Sequence, residues 1–111
     1  MPNLTGKSCK PCAPGTSPLS REQATAMLAQ VPGWSLNDAA TELSRAFKFK
    51  NYYETLAFVN AQAWVVHRED HHPDLEVGYN RCLMRFSTHS IKGLSENDYI
   101  CAAKINALTD G

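Results

Sequence analysis

His67-Arg68-Glu69-Asp70-His71-His72-Pro73 is the stretch from which the organisation of this chain is read. A proline pushes the residue before it out of the α region, so the helix that reaches His67 must end before Pro73 and His72 is extended. His71 and His72 therefore stand where helix becomes loop. The C-terminal end of a helix carries partial negative charge, which favours a protonated imidazole there. All four histidines of the chain belong to this theme: three fall within six residues, and His89 lies at the far end of the next apolar segment. Histidine exchanges a proton near neutrality, its unperturbed pKa being about 6.5. The cluster points to acid–base chemistry or metal binding, against the plainer reading of a polar turn after a helix.

Working outward, Asn51-Tyr52-Tyr53-Glu54 opens the preceding helix, with Asn51 as N-cap and Glu54 three residues on. Leu56, Val59, Ala63 and Val66 form one stripe; Phe58, Trp64 and Val65 lie off it, and His67 projects from the stripe of Leu56 and Ala63. A helix apolar on more than one face is buried on more than one side, which in so small a domain points to a subunit interface. After Pro73, Leu75 to Ser87 reads as β structure with a turn near Gly78. Cys82, Met84 and Phe86 share one face; Arg81, Leu83 and Arg85 share the other. A single long strand would carry His89 away from His71 and His72, whereas two short strands turning near Gly78 bring them together. Ser95 then caps a last helix, with Asp98 in the place of the capping-box acid. That cap accounts for Asp98, and no catalytic role is expected of it. Ile100, Cys101, Lys104, Ile105 and Leu108 make the stripe of this helix.

Toward the N-terminus, Ser20-Arg21-Glu22-Gln23 is a capping box. It predicts a helix facing the core with Ala24, Met27, Leu28 and Val31 and stopped by Pro32-Gly33. Trp34-Ser35-Leu36, a turn at Asn37-Asp38-Ala39-Ala40, and alternation through Leu43, Phe47 and Phe49 read as a hairpin. Arg45 falls on the apolar parity, so its strand is expected near an edge where the head reaches water. The predicted order is α-β-β-α-β-β-α: an α+β fold with a four-stranded antiparallel sheet and three helices on one face. Residues 1–18, broken by Pro2, Pro11, Pro14 and Pro18, read as a poorly ordered tail, and 19–111 as a single domain.

The composition bounds the function. With 111 residues the chain fits one domain able to bury a core without disulfides or metals. Eleven basic and eleven acidic residues balance, which leaves no excess for a nucleic-acid surface. There is no apolar run long enough to span a membrane and no secretory h-region, so the expected location is cytoplasmic. Cys9-Lys10-Pro11-Cys12 is a lone CxxC. It lacks the further paired ligands of a zinc site and the strand-to-helix context of a thioredoxin motif, and reads first as a thiol pair on a mobile tail. Cys82 and Cys101 read as small buried hydrophobes.

Five residues separate His71-His72-Pro73 from Tyr79, nine separate Tyr79 from His89, and eight separate His89 from Asp98. With Thr88-His89 and Gly93-Leu94-Ser95, these residues resemble the signature of the pterin-4a-carbinolamine dehydratases, over about Leu19 to Leu108. The resemblance implies a lyase that removes water from 4a-hydroxytetrahydrobiopterin and returns quinonoid dihydrobiopterin, recycling the pterin of aromatic amino-acid hydroxylases. It implies catalytic His71, His72 and His89, and substrate binding by Asp70 to His72 and by Ser87, Thr88, His89 and Ser90. It further implies no cofactor beyond the pterin substrate, no metal, a homodimer or homotetramer, and functional coupling to a hydroxylase, with no direct nucleic-acid or membrane partner.

The chemistry fits these residue types. Water leaves when one group protonates the hydroxyl and another takes a proton from the ring nitrogen, and histidines can do both near pH 7. His71 and His89 are expected as the acid–base pair and His72 as the group that orients the hydroxyl. Asp70 and the Ser87–Thr88 backbone are expected at the amide and amino edge of the pterin. Tyr79, Trp64 and Trp34 read as core or interface aromatics. The resemblance breaks at His67, where the family often has an acid; Glu69 or Asp70 is expected to take over. A metal site from His67, His71, His72 and His89 is the rival enzyme reading, weakened because the glutamate of HExxH is missing. The rival of another class is a protein-binding, dimerisation role that modulates transcription, with or without the dehydratase.

Overall fold

A computed structural model describes residues 4–13 and 15–110. Pro2, Pro14 and Gly111 lie outside the described residues. Three helices, α1 (Arg21–Met27), α2 (Tyr52–Glu69) and α3 (Glu96–Asp110), accompany four strands, β1 (Ser35–Leu36), β2 (Leu43–Lys48), β3 (Asp74–Val77) and β4 (Arg81–Phe86). Their order is the expected α-β-β-α-β-β-α. The strands pair antiparallel in the order β1-β2-β4-β3.

Local signals start the elements where the sequence places them. Ser20 accepts from Gln23 N–H while the Gln23 side chain accepts from Ser20 N–H, closing the capping box of α1. A 3-10 turn over Leu28–Gln30 extends α1 to the fully buried Val31, and Gly33 follows at φ 89°. Asn51 caps α2 by accepting from Glu54 N–H at 2.9 Å. The β3–β4 hairpin turns at Gly78, whose N–H donates to Arg81 O at 2.8 Å.

The sheet is covered on one face. Leu43, Phe47, Cys82, Met84 and Phe86 are buried there and cluster with Ala24 of α1, Phe58 and Val66 of α2, and Ile100, Cys101 and Ile105 of α3. Trp34 joins this core edge-on to Phe47 and donates through Nε1 to Asn106 Oδ1 at 2.8 Å.

Three expectations are corrected. The buried stripe of α2 is Thr55, Phe58, Gln62 and Val66, not Leu56, Val59 and Ala63. Thr55 and Gln62 enter the core because their donors meet backbone carbonyls, Thr55 Oγ1 those of Asn51 and Tyr79 and Gln62 Nε2 that of Val59. Arg45 lies on an inner strand, not an edge: its guanidinium passes over the Phe47 ring, 4.4 Å from the centroid, to reach Asn106 and Pro32 O. Of the three aromatics read as core or interface, Trp34 is core, and Trp64 and Tyr79 are exposed.

The third correction concerns the opening segment, whose described residues pack onto the domain. Leu4 is 4% exposed and belongs to the core cluster. Lys7 pairs with Glu96 at 2.7 Å, Cys9 N–H donates to Glu69 Oε1, and Lys10 and Asn97 exchange two hydrogen bonds. An apolar anchor and side chains reaching it from α2 and α3 hold a segment whose composition alone suggests none.

Candidate active site

The end of α2 positions the first part of the site. Asp70 terminates the helix in the left-handed conformation (φ 52°, ψ 43°), a region that aspartate enters more readily than most non-glycine residues. His71 N–H returns to Val66 O at 3.3 Å, closing the helix end. The chain then leaves in the direction of β3, with the His71 ring turned inward and the His72 ring in solvent. His71 stacks on the fully buried Phe86, centroids 6.0 Å apart and planes at 8°. The β3–β4 hairpin returns the chain so that His89, opening a 3-10 turn over His89–Ile91, lies beside His72 with ring centroids 6.4 Å apart. The three histidines thus gather around one corner of the sheet, as the hairpin reading requires.

Asp98 is the residue that the sequence reading left out of the chemistry. Its carboxylate is completely buried, and Oδ1 lies 2.6 Å from His71 Nε2. Oδ2 accepts from Thr88 Oγ1 at 2.8 Å and from Ser95 N–H at 2.9 Å. Because the single Thr88 hydroxyl proton goes to Asp98, the Ser95 hydroxyl donates to Thr88 Oγ1. Nε2 of His71 therefore carries the hydrogen that meets the carboxylate, so that in the neutral ring the lone pair is on Nδ1. Charge also reaches the neighbouring residue. Burial, with the Asp98 charge second, pushes the Tyr99 hydroxyl up to about 12, and that hydroxyl donates to Ala24 O.

The acid expected near His71 is therefore Asp98, not Glu69 or Asp70. Glu69 is engaged elsewhere, accepting from Lys104 Nζ at 2.7 Å and from Cys9 N–H at 2.8 Å. Burial pushes its carboxyl up, but the Lys104 and Cys9 hydrogen bonds and the Lys104 charge outweigh it and hold it below its ordinary value. Asp70 is exposed at the helix end.

Two clefts of about 330 Å³ each flank the Asp70–His71 corner. One is bounded by Gln62, His67, Asp70, His71, His72 and Leu75. The other is bounded by Cys9, Cys12, Asp70, His71, Thr88 and Ser90. Each is within the size range of small-molecule sites. Of the expected binding residues, Asp70, His71, His72, Thr88 and Ser90 line a cleft, while the half-buried Ser87 and the exposed His89 line neither. The Thr88 backbone is committed to the loop itself: its N–H donates to Gly93 O and its carbonyl accepts from Ile91 and Gly93. Thr88 thus supports Asp98 instead of offering a free edge. Gln62 was not singled out by sequence; it is 4% exposed, and its Oε1 has no partner among the described residues. No group of three or more His, Cys, Asp or Glu among the described residues is arranged to hold a metal ion. Among the described residues, no helix is long and apolar enough to cross a membrane.

Comparison with known proteins follows the same lines. A family model described as pterin 4 alpha carbinolamine dehydratase matches residues 17–108. A protein of Nitrosomonas europaea is 57% identical over 96% of this chain and 93% of its own, and one of Nitrosospira multiformis is 55% identical over 96% and 92%. Both are provisionally named pterin-4-alpha-carbinolamine dehydratases. A crystal structure from Brucella melitensis, titled transcriptional coactivator/pterin dehydratase, superposes with a TM-score of 0.78 at 32% identity, covering 83% of this chain and 98% of the other. A pterin dehydratase-like RuBisCO assembly factor of the alpha-carboxysome shares the fold at a TM-score of 0.60 and 23% identity, over 68% of this chain and 88% of its own.

Proposed function

The chain belongs to the pterin 4 alpha carbinolamine dehydratase family, and on that premise we propose that it is a hydro-lyase acting on 4a-hydroxytetrahydrobiopterin. It releases water and returns quinonoid dihydrobiopterin, recycling the pterin used by aromatic amino-acid hydroxylases in the cytoplasm. The observation that carries the histidine mechanism is the 2.6 Å contact of His71 Nε2 with the fully buried Asp98 carboxylate, beside the His72–His89 pair.

In this reading His71 and His89 are the acid–base pair. One protonates the departing hydroxyl, the other takes the proton from the ring nitrogen, and the two events sum to water and the product. Asp98 fixes the His71 ring and leaves Nδ1 as the working nitrogen, while facing the charge that appears when Nδ1 takes a proton. Asp98 is a positioning residue, and Thr88 and Ser95 position it in turn. His72 orients the hydroxyl. Asp70, Ser87 and Ser90 meet the polar edge of the pterin. No cofactor beyond the substrate and no metal takes part.

The test is dehydration of freshly generated 4a-hydroxytetrahydropterin followed by ultraviolet absorbance after chelator treatment. The wild type accelerates the reaction, and His72→Ala and His89→Ala lose the acceleration. An unaccelerated wild type would overturn the reading.

A second role in protein association is favoured by the outer face of α2. Tyr53, Ala57, Ala61 and Trp64 are exposed and fall on one side of the helix, opposite Phe58, Gln62 and Val66. We assign this strip to a homodimer or homotetramer contact, compatible with the transcriptional coactivator role named for the Brucella protein. Light scattering on Trp64→Glu tests it: a smaller assembly is expected, and an unchanged mass refutes it.

A further inference from the structure

Cys9 and Cys101 are 92 positions apart, yet their Sγ atoms touch at 3.6 Å. Cys101 is fully buried on α3, and Cys9 is half-buried on the opening segment. The contact is held from both sides. Cys9 N–H donates to Glu69 Oε1, Lys10 and Asn97 exchange hydrogen bonds at 3.0 and 2.6 Å, and Leu4 anchors the segment in the core. Cys9 Sγ–H points to Asn97 O at 3.5 Å, and Cys101 Sγ–H to His71 O at 3.8 Å. The contact with Cys9, and then burial, push the Cys101 thiol far up, which keeps it protonated and inert while it is alone. The geometry is thus that of one accessible thiol laid on one sealed thiol.

We propose that Cys9 and Cys101 form an oxidative modification site, at which a small-molecule disulfide converts them to an internal disulfide tying the opening segment to α3 beside His71. Cys9, as thiolate, attacks one sulfur of the small disulfide, whose S–S bond breaks and expels one thiolate. Cys101 gives its proton to the expelled thiolate and attacks Cys9 Sγ. The new Cys9–Cys101 bond forms, the mixed disulfide breaks, and the second small thiol leaves with the proton that Cys9 lost. One small disulfide is reduced to two thiols and two protein thiols are oxidised. Cys9 and Cys12 bound the same cleft as Asp70, His71 and Ser90, so the bond clamps one wall of that cleft. Cys12, half-buried and three residues from Cys9, is the competing thiol. The site goes beyond the dehydratase reading and does not depend on it.

The experiment uses the full chain with oxidised glutathione, blocking of remaining thiols with iodoacetamide, and peptide mapping without reduction. A Cys9–Cys101 linked peptide is expected in the wild type and in Cys12→Ser, with loss of two free thiols. Thermal unfolding should shift up by about 5 °C or more, reversed by dithiothreitol. Cys9→Ser and Cys101→Ala should lose the peptide and the shift. Cys9→Ser decides the matter if Cys101→Ala fails to fold. A Cys9–Cys12 peptide, a glutathione adduct that does not resolve, or an unoxidised wild type each overturns the proposal.

Discussion

Replacing Asp98 by asparagine keeps the shape of the side chain and removes its charge. The carboxylate accepts from His71 Nε2, Thr88 Oγ1 and Ser95 N–H at 2.6, 2.8 and 2.9 Å. Asparagine offers one oxygen and one NH₂ in their place. The Ser95 backbone N–H cannot invert, so the amide oxygen stays on the Ser95 and Thr88 side and the NH₂ faces His71. Two donors then meet unless His71 moves its hydrogen to Nδ1. Hydrogen bonds to an ionised group are worth about 1.5–3 kcal/mol and neutral ones about 0.5–1.5. Weakening three bonds by about 1–1.5 kcal/mol each therefore costs about 3–4 kcal/mol of stability. Moving the hydrogen to Nδ1 would block the nitrogen proposed to do the work, and the rate should then fall by about 10²–10⁴. The assays are kcat and KM from the absorbance reaction, ¹⁵N–¹H correlation of His71 for the tautomer, and urea unfolding. Thr88→Val, which keeps the charge, should cost less than about tenfold in rate, a loss below the range for a positioned acid or base. An Asp98→Asn enzyme within threefold of wild type, still carrying its hydrogen on Nε2, would refute the reasoning.

Three further outcomes follow from the same structure. His89→Ala should lower kcat by about 10²-fold or more at saturating substrate while shifting stability by no more than about 0.5 kcal/mol, because His89 is exposed; an unchanged kcat removes His89 from the chemistry. Glu69 is held below its ordinary value of 4.5 in the folded chain, so its contribution to stability is present above that value and is lost as pH falls through the lower folded value. Thermal scans across acidic pH should therefore be flatter for Glu69→Gln than for wild type, and parallel curves would refute the coupling. Leu4→Ala should lower stability by about 2 kcal/mol, the low end for a buried leucine because the segment can lift away; an unmoved urea midpoint would mean that Leu4 is no anchor.

What could be read from sequence was local. The Ser20 box, the Asn51 cap, the Gly78 turn and the parity of Cys82, Met84 and Phe86 lie within a few residues of the groups they govern. The motif spacing placed His71, His72 and His89 together because a short hairpin is the only economical path between them. The face of α2 was misread because Thr55 and Gln62 look like solvent residues until their backbone partners are known. Asp98 was hidden by its own cap. Its contact with Ser95 N–H explains the residue locally, and nothing within a turn of it reports His71, 27 positions away. The one available signal was its fixed distance from His89 in the family pattern. The opening segment was misread for the same reason, since its proline and glycine content is local and its partners Glu69, Asn97 and Cys101 are not.

The division of the site between a hairpin and a distant helix has a kinetic consequence. His72 and His89 are brought together by β3 and β4, whose closure involves a short loop and little entropy. Asp98 arrives only when α3 docks against the end of α2, and the central β2–β4 pairing must first span the whole of α2. By contact order the imidazoles are expected to meet during refolding before the carboxylate that faces His71. In the mechanism proposed above, a chain with its sheet formed and α3 still loose would hold the histidines without their orientation, so catalytic competence would belong to the last docking step and not to the histidine cluster by itself.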